Sequence, residues 1–482
     1  MALNFKKTFA VSLLSSMLLC GCTNSYEATS DLIPTSNTLN SDSGSGSQGF
    51  SLDDIQKKYD DLDWSYDGDE CTITMCHWDS AGRNVEAAVL NALLKGFNKR
   101  YPNIHVELEI LTDYENTYGN NISADNMHDV FLVPDGAFGS WASSKKLVNL
   151  TPYVEASTII DTDNMYETSL TRYQYNFNTN KPGSGVQLAL PKDIGPYVMY
   201  YNEDIFNQLE VELPPSDRIM TIDEATTMWQ SLTKKNSSGD ITCYGVGGLG
   251  IEGLVWSAGG DFLNEDRDAF PTDESTLAGL KKGYQYMQDS YFKYEVQPPS
   301  EFTAGQDAST LFSMQKVACY IGGRYNVTSF MNLDFKWNVC YVPAFTENSE
   351  KNMYSGSVGY AMSSTCKNKL AAWKLIEYVA SREGQEILSS TGFQIPCYTD
   401  LALSDDVKAR EQINYPGLNY EVFVHSAEKQ SYGLWQYRNN QKWKTMGYDT
   451  TSEYLYHSDE SKRWTVDYFL EQAKKAVTEN LF

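Results

Sequence analysis

The chain has 482 residues, 13% of them aromatic, and a formal net charge of −25. That acidity excludes nucleic acid as a partner, because neutralising phosphates takes clustered Lys and Arg. It bears on solubility and steering rather than on the sign of a ligand.

Residues 1–21 read as a lipoprotein signal peptide. Lys6 and Lys7 form a short positive region, and the apolar run Phe9 to Leu19 is broken only by serines. That run falls short of the roughly 20 apolar residues that a membrane span needs. It ends in Leu18-Leu19-Cys20-Gly21-Cys22, which resembles a bacterial lipobox. The resemblance implies cleavage before Cys22 and a diacylglycerol on its thiol; an ordinary signal peptide cut elsewhere is the alternative. Residues 22–62 then form the lipidated cysteine and a tether. Thr23 to Phe50 is rich in Ser, Thr, Asn, Asp and Gly, with too few apolar side chains to offset the entropy of ordering. About 40 such residues reach roughly 35 Å by square-root scaling. The acidic stretch Asp60 to Glu70 lacks the spacing of a calcium loop and reads as a solvated charge run.

From Ile73 the pattern alternates between strand and helix. Ile73 to Cys76 is a short strand, and Val85, Ala88, Val89, Ala92, Leu93 and Phe97 share one helical face up to Pro102. Ile104, Val106, Leu108 and Ile110 alternate with polar residues at a strand's period of two. Val130-Phe-Leu-Val133 is an unbroken apolar run, as expected of a parallel strand covered on both faces. A helix starts at the capping box Thr221-Ile-Asp-Glu224. Another carries Ala372, Leu375, Ile376 and Val379 on one side. This alternation predicts α/β layers with parallel-rich sheets, and a body of this length exceeds one core. The expected fold is therefore α/β and two-lobed. Apart from Cys20 and Cys22 of the export segment, seven cysteines remain, an odd number without framework spacing. Cys71 with Cys76, and Cys319 with Cys340, are the pairs to consider, beside buried free thiols. Zinc held by Cys71, Cys76 and His77 would lack a CxxC-type pair, so no metal is expected.

Several segments in order resemble the family 1 extracellular solute-binding proteins, the group that includes maltose-binding protein. They are Phe97-Asn-Lys-Arg-Tyr-Pro-Asn-Ile104, Leu147-Val-Asn-Leu-Thr-Pro-Tyr153, Leu190-Pro-Lys-Asp193 with Tyr200-Tyr-Asn-Glu-Asp-Ile-Phe206, Phe312 to Arg324, and Ala371 to Gln385. Gln315 and Tyr325 depart from the family's usual Gly and Trp. The resemblance implies a periplasmic-binding-protein-like fold with an interlobe ligand cleft and hinge crossings near Pro191–Tyr197, Val342–Phe345 and Pro396–Leu401. It divides the chain into lobe 1 (70–193 plus 345–398) and lobe 2 (194–344 plus 399–482). It also implies a monomer, without cofactor or catalytic activity, that captures a carbohydrate, an oligosaccharide in particular, for the permease subunits of an ABC importer. The protein would sit outside the cytoplasm, held to the bacterial membrane by Cys22 alone. A surface glycan-binding or sensor protein without a transporter is the alternative, and an extracellular glycoside hydrolase a more distant one; no G-x-S-x-G, H-E-x-x-H or P-loop motif occurs.

A sugar site needs aromatic rings for the apolar faces of the sugar and planar polar groups for its hydroxyls. Trp78 and Asp79 follow the first strand at its carboxyl end, and Asp135 follows the apolar strand in the same way. Asp193 lies at a predicted crossing, where a hinge-stabilising hydrogen bond is the other reading. Arg324 and Tyr325 follow Gly322-Gly323; an interlobe salt bridge is the alternative for Arg324. By resemblance, Trp256 ahead of Gly259-Gly260 and Tyr354 ahead of Ser355-Gly356 belong to ligand-facing segments. Trp435 is the candidate from the helical tail, where packing competes with binding.

Overall fold

The computed structural model describes residues 51–78, 83–349 and 351–481. Two five-stranded sheets organise them. The first runs in the order Ile104–Leu111, Cys71–Trp78, Val130–Pro134, Val358–Met362, Ala189–Pro191. The second runs Trp337–Cys340, Tyr197–Asn202, Val317–Gly323, Ile241–Gly247, Lys234–Lys235. Among the described residues no helix is long and apolar enough to cross a membrane.

The expectation of parallel-rich sheets needs correcting, and the reason positions the site. Cys71–Trp78 pairs in parallel with both Ile104–Leu111 and Val130–Pro134, whereas Val358–Met362 lies antiparallel to its two neighbours. In the second sheet Tyr197–Asn202 is likewise antiparallel to both neighbours. These two opposed strands are the ones that the chain enters directly after leaving the other sheet. Strands such as Cys71–Trp78 and Val130–Pro134 run toward the shared edge, whereas a strand reached by a crossing begins there and runs away. Each crossing thus inserts one reversed strand, and both sheets present their functional ends to the same gap.

Local signals explain most elements. Thr221 Oγ1 accepts from the Glu224 amide at 3.3 Å while Glu224 Oε2 accepts from the Thr221 amide at 2.8 Å, closing the capping box. Val130–Pro134 is buried along its whole length, and the helix Lys369–Ala380 buries Ala372, Leu375, Ile376 and Val379 as its face requires. The seven cysteines among the described residues are free thiols, and six of them are buried; neither of the two pairs considered above is joined.

The tail does not belong to the second lobe alone, which corrects the division 399–482. Arg410 in the helix Asp405–Asn414 binds Glu386 Oε1 at 2.7 Å on the first-lobe side. Gln436 Nε2 then donates to the Asp135 backbone oxygen at 3.0 Å. The same tail also packs on the second lobe: Tyr420–Lys429 lies against Tyr197–Asn202, Tyr437 donates to Asp261 Oδ1 at 2.7 Å, and Val466–Asn480 packs on Glu274–Phe292. The tail therefore straps across both sheets.

Candidate functional site

Along the first sheet's edge, buried charges lie in a chain. Trp78 ends its strand and donates from Nε1 to Glu86 Oε1 at 3.2 Å. The same oxygen receives Lys192 Nζ at 2.7 Å and faces His77 Nε2 at 3.7 Å. Burial pushes His77 down to about 4, and Lys192 adds to that, so the ring is neutral at physiological pH. Burial works against the charge on Lys192, but Glu86 and Asp193 outweigh it and hold its pKa up. Asp193 accepts from the Val358 amide at 3.2 Å, and its backbone oxygen receives Ser357 Oγ at 2.7 Å. Its partners are the atoms of the crossing itself.

Asp135 opens the helix Asp135–Ser143 and pairs with Arg172, Nη1 to Oδ2, at 3.0 Å. Arg172 is fully buried and also donates to the Ser355 backbone oxygen at 3.0 Å and Oγ at 2.9 Å. Burial raises the Asp135 carboxyl to about 6, more than Arg172 lowers it. A carboxyl whose folded pKa exceeds the ordinary 3.8 binds its proton more tightly in the folded chain. Its contribution is fully present below that value and is lost as pH rises through about 6. Thermal melting between these pH values should therefore fall more steeply for the wild type than for Asp135→Asn. Parallel pH profiles would rule out this assignment of the titration.

Across the gap, four rings stand in a row. Tyr325 and Tyr197 have centroids 6.4 Å apart, Tyr197 and Tyr354 4.7 Å, and Tyr354 and Trp435 5.0 Å. Tyr325 is 51% exposed; the other three are half-buried. The row is assembled from separate pieces of chain. Gln430 clamps Tyr197, accepting from its amide at 2.9 Å and donating to its carbonyl at 2.6 Å. Tyr354 forms a bridge with Ser431, which brings Trp435 alongside. The shielded Nε1 of Trp435 has no hydrogen-bond partner among the described residues. Because Ser355, next to Tyr354, is gripped by Arg172, the aromatic row and the charged edge are mechanically one unit.

The structure thus brings together Trp78, Asp135, Asp193, Tyr325, Tyr354 and Trp435 along one interface. Two expectations are corrected. Arg324 is 1% exposed; it binds Glu411 Oε2 at 2.6 Å and the Gly392 carbonyl through Nε at 2.9 Å, under the Phe423 ring. Its Nε and Nη2 are committed to the protein, as the ion-pair alternative has it, and Nη1 is enclosed. Trp256 is 7% exposed and donates to Asp261 at 3.3 Å, beside Tyr437, which also binds that carboxylate at 2.7 Å. Gly260 next to it does permit close backbone approach, but to the helix Glu274–Phe292: a Cβ there would lie 2.5 Å from the Gly279 carbonyl carbon. Asp79 and Cys22 lie outside the described residues. The sequence reading missed Tyr197, Lys192, Glu86 and Arg172. Tyr197 and Lys192 flank the first crossing, a usable signal; Arg172 carries none.

Two α/β sheets that face one another across chain crossings, with aromatic rings and buried charges on the facing edges, define a two-lobed binding protein. The comparisons with known proteins agree. The family model for the bacterial extracellular solute-binding protein matches residues 81–386. The chain belongs to that family. A galactooligosaccharide-binding protein of Bacillus subtilis is 23% identical over 227 residues, 44% of this chain and 50% of the relative. The chain spans about half the length of the curated relatives it matches. Among solved structures, a Listeria monocytogenes ABC substrate-binding protein in complex with cycloalternan aligns with TM-score 0.69 at 18% identity, covering 85% of this chain and 99% of that one. A sugar-binding protein of the phytopathogen Xanthomonas citri aligns with TM-score 0.66 at 16% identity, covering 85% and 97%. These two share the fold.

Proposed function

We propose that the protein captures an oligosaccharide between its two sheets and hands it, unmodified, to the permease subunits of an ABC importer. The observation that carries this reading is the row Tyr325–Tyr197–Tyr354–Trp435, tied through Ser355 and Arg172 to Asp135 on the first sheet. Successive rings fit successive sugar faces, and the carboxylates fit hydroxyl rims. The similarity to a galactooligosaccharide-binding protein and to a substrate-binding protein solved with cycloalternan supports a carbohydrate ligand, an oligosaccharide among them.

Calorimetry of the purified protein against defined gluco- and galactooligosaccharides tests the reading, with chromatography of the ligand after long incubation. We expect saturable binding and intact sugar. Cleavage over many turnovers would make the protein a hydrolase instead. Trp435→Ala should weaken the best ligand about 5- to 150-fold, or about 1–3 kcal/mol, while melting without ligand changes little. Unchanged affinity would remove Trp435 from the site.

The same reading places the protein as a monomer on the outer face of a bacterial membrane through lipidated Cys22. Two acyl chains anchor stably where one holds marginally. Cys22→Ala should leave the protein unprocessed or released, as seen by fractionation and mass spectrometry. Unlipidated mature wild-type protein in the medium would contradict the anchor.

A further inference from the structure

Away from the gap, the first sheet gathers three side chains of different chemistry on one spot. Cys76 and Glu109 are direct cross-strand partners, and Cys76 also pairs with Phe131 in the strand on its other side. His128 sits just ahead of that third strand. One ligand atom from each, Cys76 Sγ, a Glu109 carboxylate oxygen and an imidazole nitrogen of His128, lies within 4.8 Å of the others. The His128 ring is already aimed: Nε2 is 2.8 Å from Glu109 Oε2, while Nδ1 faces Tyr118 Oη at 3.5 Å. The Tyr118 hydroxyl also accepts from the His128 amide at 3.0 Å, and its ring lies in the helix Tyr114–Ser123. A second-shell hydrogen bond on one imidazole nitrogen that frees the other for a metal is the usual arrangement around zinc.

We propose that Cys76, Glu109 and His128 form a site for a single divalent ion of the zinc class, with water completing the coordination. Sulfur, imidazole and carboxylate donors together suit zinc and disfavour calcium or magnesium, which take oxygen ligands. Cys76 is buried, His128 is partly exposed and Glu109 is half exposed, so the ion enters from the Glu109 side. Burial and the Glu109 charge keep the free Cys76 thiol protonated. Binding forms the metal–sulfur bond and releases the thiol proton to solvent, so affinity rises with pH. The ion would tie three neighbouring strands together two residues before Trp78. Tyr118 is a positioning residue here, acting through His128.

Cobalt(II) titration of the reduced, purified protein tests this without any sugar, because a cysteine-bound cobalt ion gives a thiolate charge-transfer band. We expect the band to saturate near one equivalent, to be displaced by zinc, and to vanish in Cys76→Ser and His128→Ala. Glu109→Gln alters an exposed side chain and should weaken binding with melting unchanged, so loss of the site is separable from loss of the fold. Tyr118→Phe should lower affinity about 10-fold or more. His105→Ala, which removes an exposed histidine paired with Glu70, should leave the band intact. A folded wild type that shows no thiolate band overturns the proposal, as does a band that survives Cys76→Ser.

Discussion

Arg172→Leu should destabilise the protein by about 3–5 kcal/mol, the usual consequence of removing one partner of a buried ion pair. Arg172 is fully buried, and its loss leaves Asp135 without its counter-ion and Ser355 without two donors. Leucine fills much of the volume, so the loss is electrostatic rather than a cavity. Denaturant unfolding of the single variant and of Arg172→Leu with Asp135→Asn separates the terms. Neutralising the stranded carboxylate should recover part of the stability. A single variant as stable as the wild type would mean that Asp135 reaches water once Arg172 is gone.

Trp256→Ala should cost a similar amount for a different reason. With 7% exposure, the indole packs in a cluster with Phe262, Tyr284 and Tyr437. Truncating a buried tryptophan typically costs about 3–5 kcal/mol, because the surroundings relax only partly into the space left. Melting without ligand should fall sharply, while affinity in the folded fraction stays near that of the wild type. Weak binding with normal melting would return Trp256 to the ligand site that its sequence position suggests.

The contrast between Trp256 and Tyr197 shows what a sequence carries. Strand and helix signals are local: the apolar run at Val130, the capping box at Thr221 and the helical face around Leu375 each contain the information for their own element. Strand ends are legible too, because side chains just past a parallel strand point to the sheet's carboxyl edge; Trp78 and Asp135 are found in this way. Partners are not local. Lys192 meets Glu86 across 106 residues, Arg172 reaches Ser355 across 183, and Tyr197 meets Tyr325 across 128. Nothing near Arg172 announces its role. Arg324 fails in the opposite sense: its position after a glycine pair is correctly read as a strand end, but Glu411, 87 residues on, holds the guanidinium inside the protein.

The free thiols have a consequence for how such a chain is made. Among the described residues six cysteines are enclosed and unpaired, and Cys71 is partly reachable. The described fold is therefore reached without forming a disulfide among these seven cysteines. Burial keeps the thiols of Cys319, Cys340 and Cys397 protonated, the form that reacts least with oxidants. Its resilience outside the cell comes from packing, not from covalent staples.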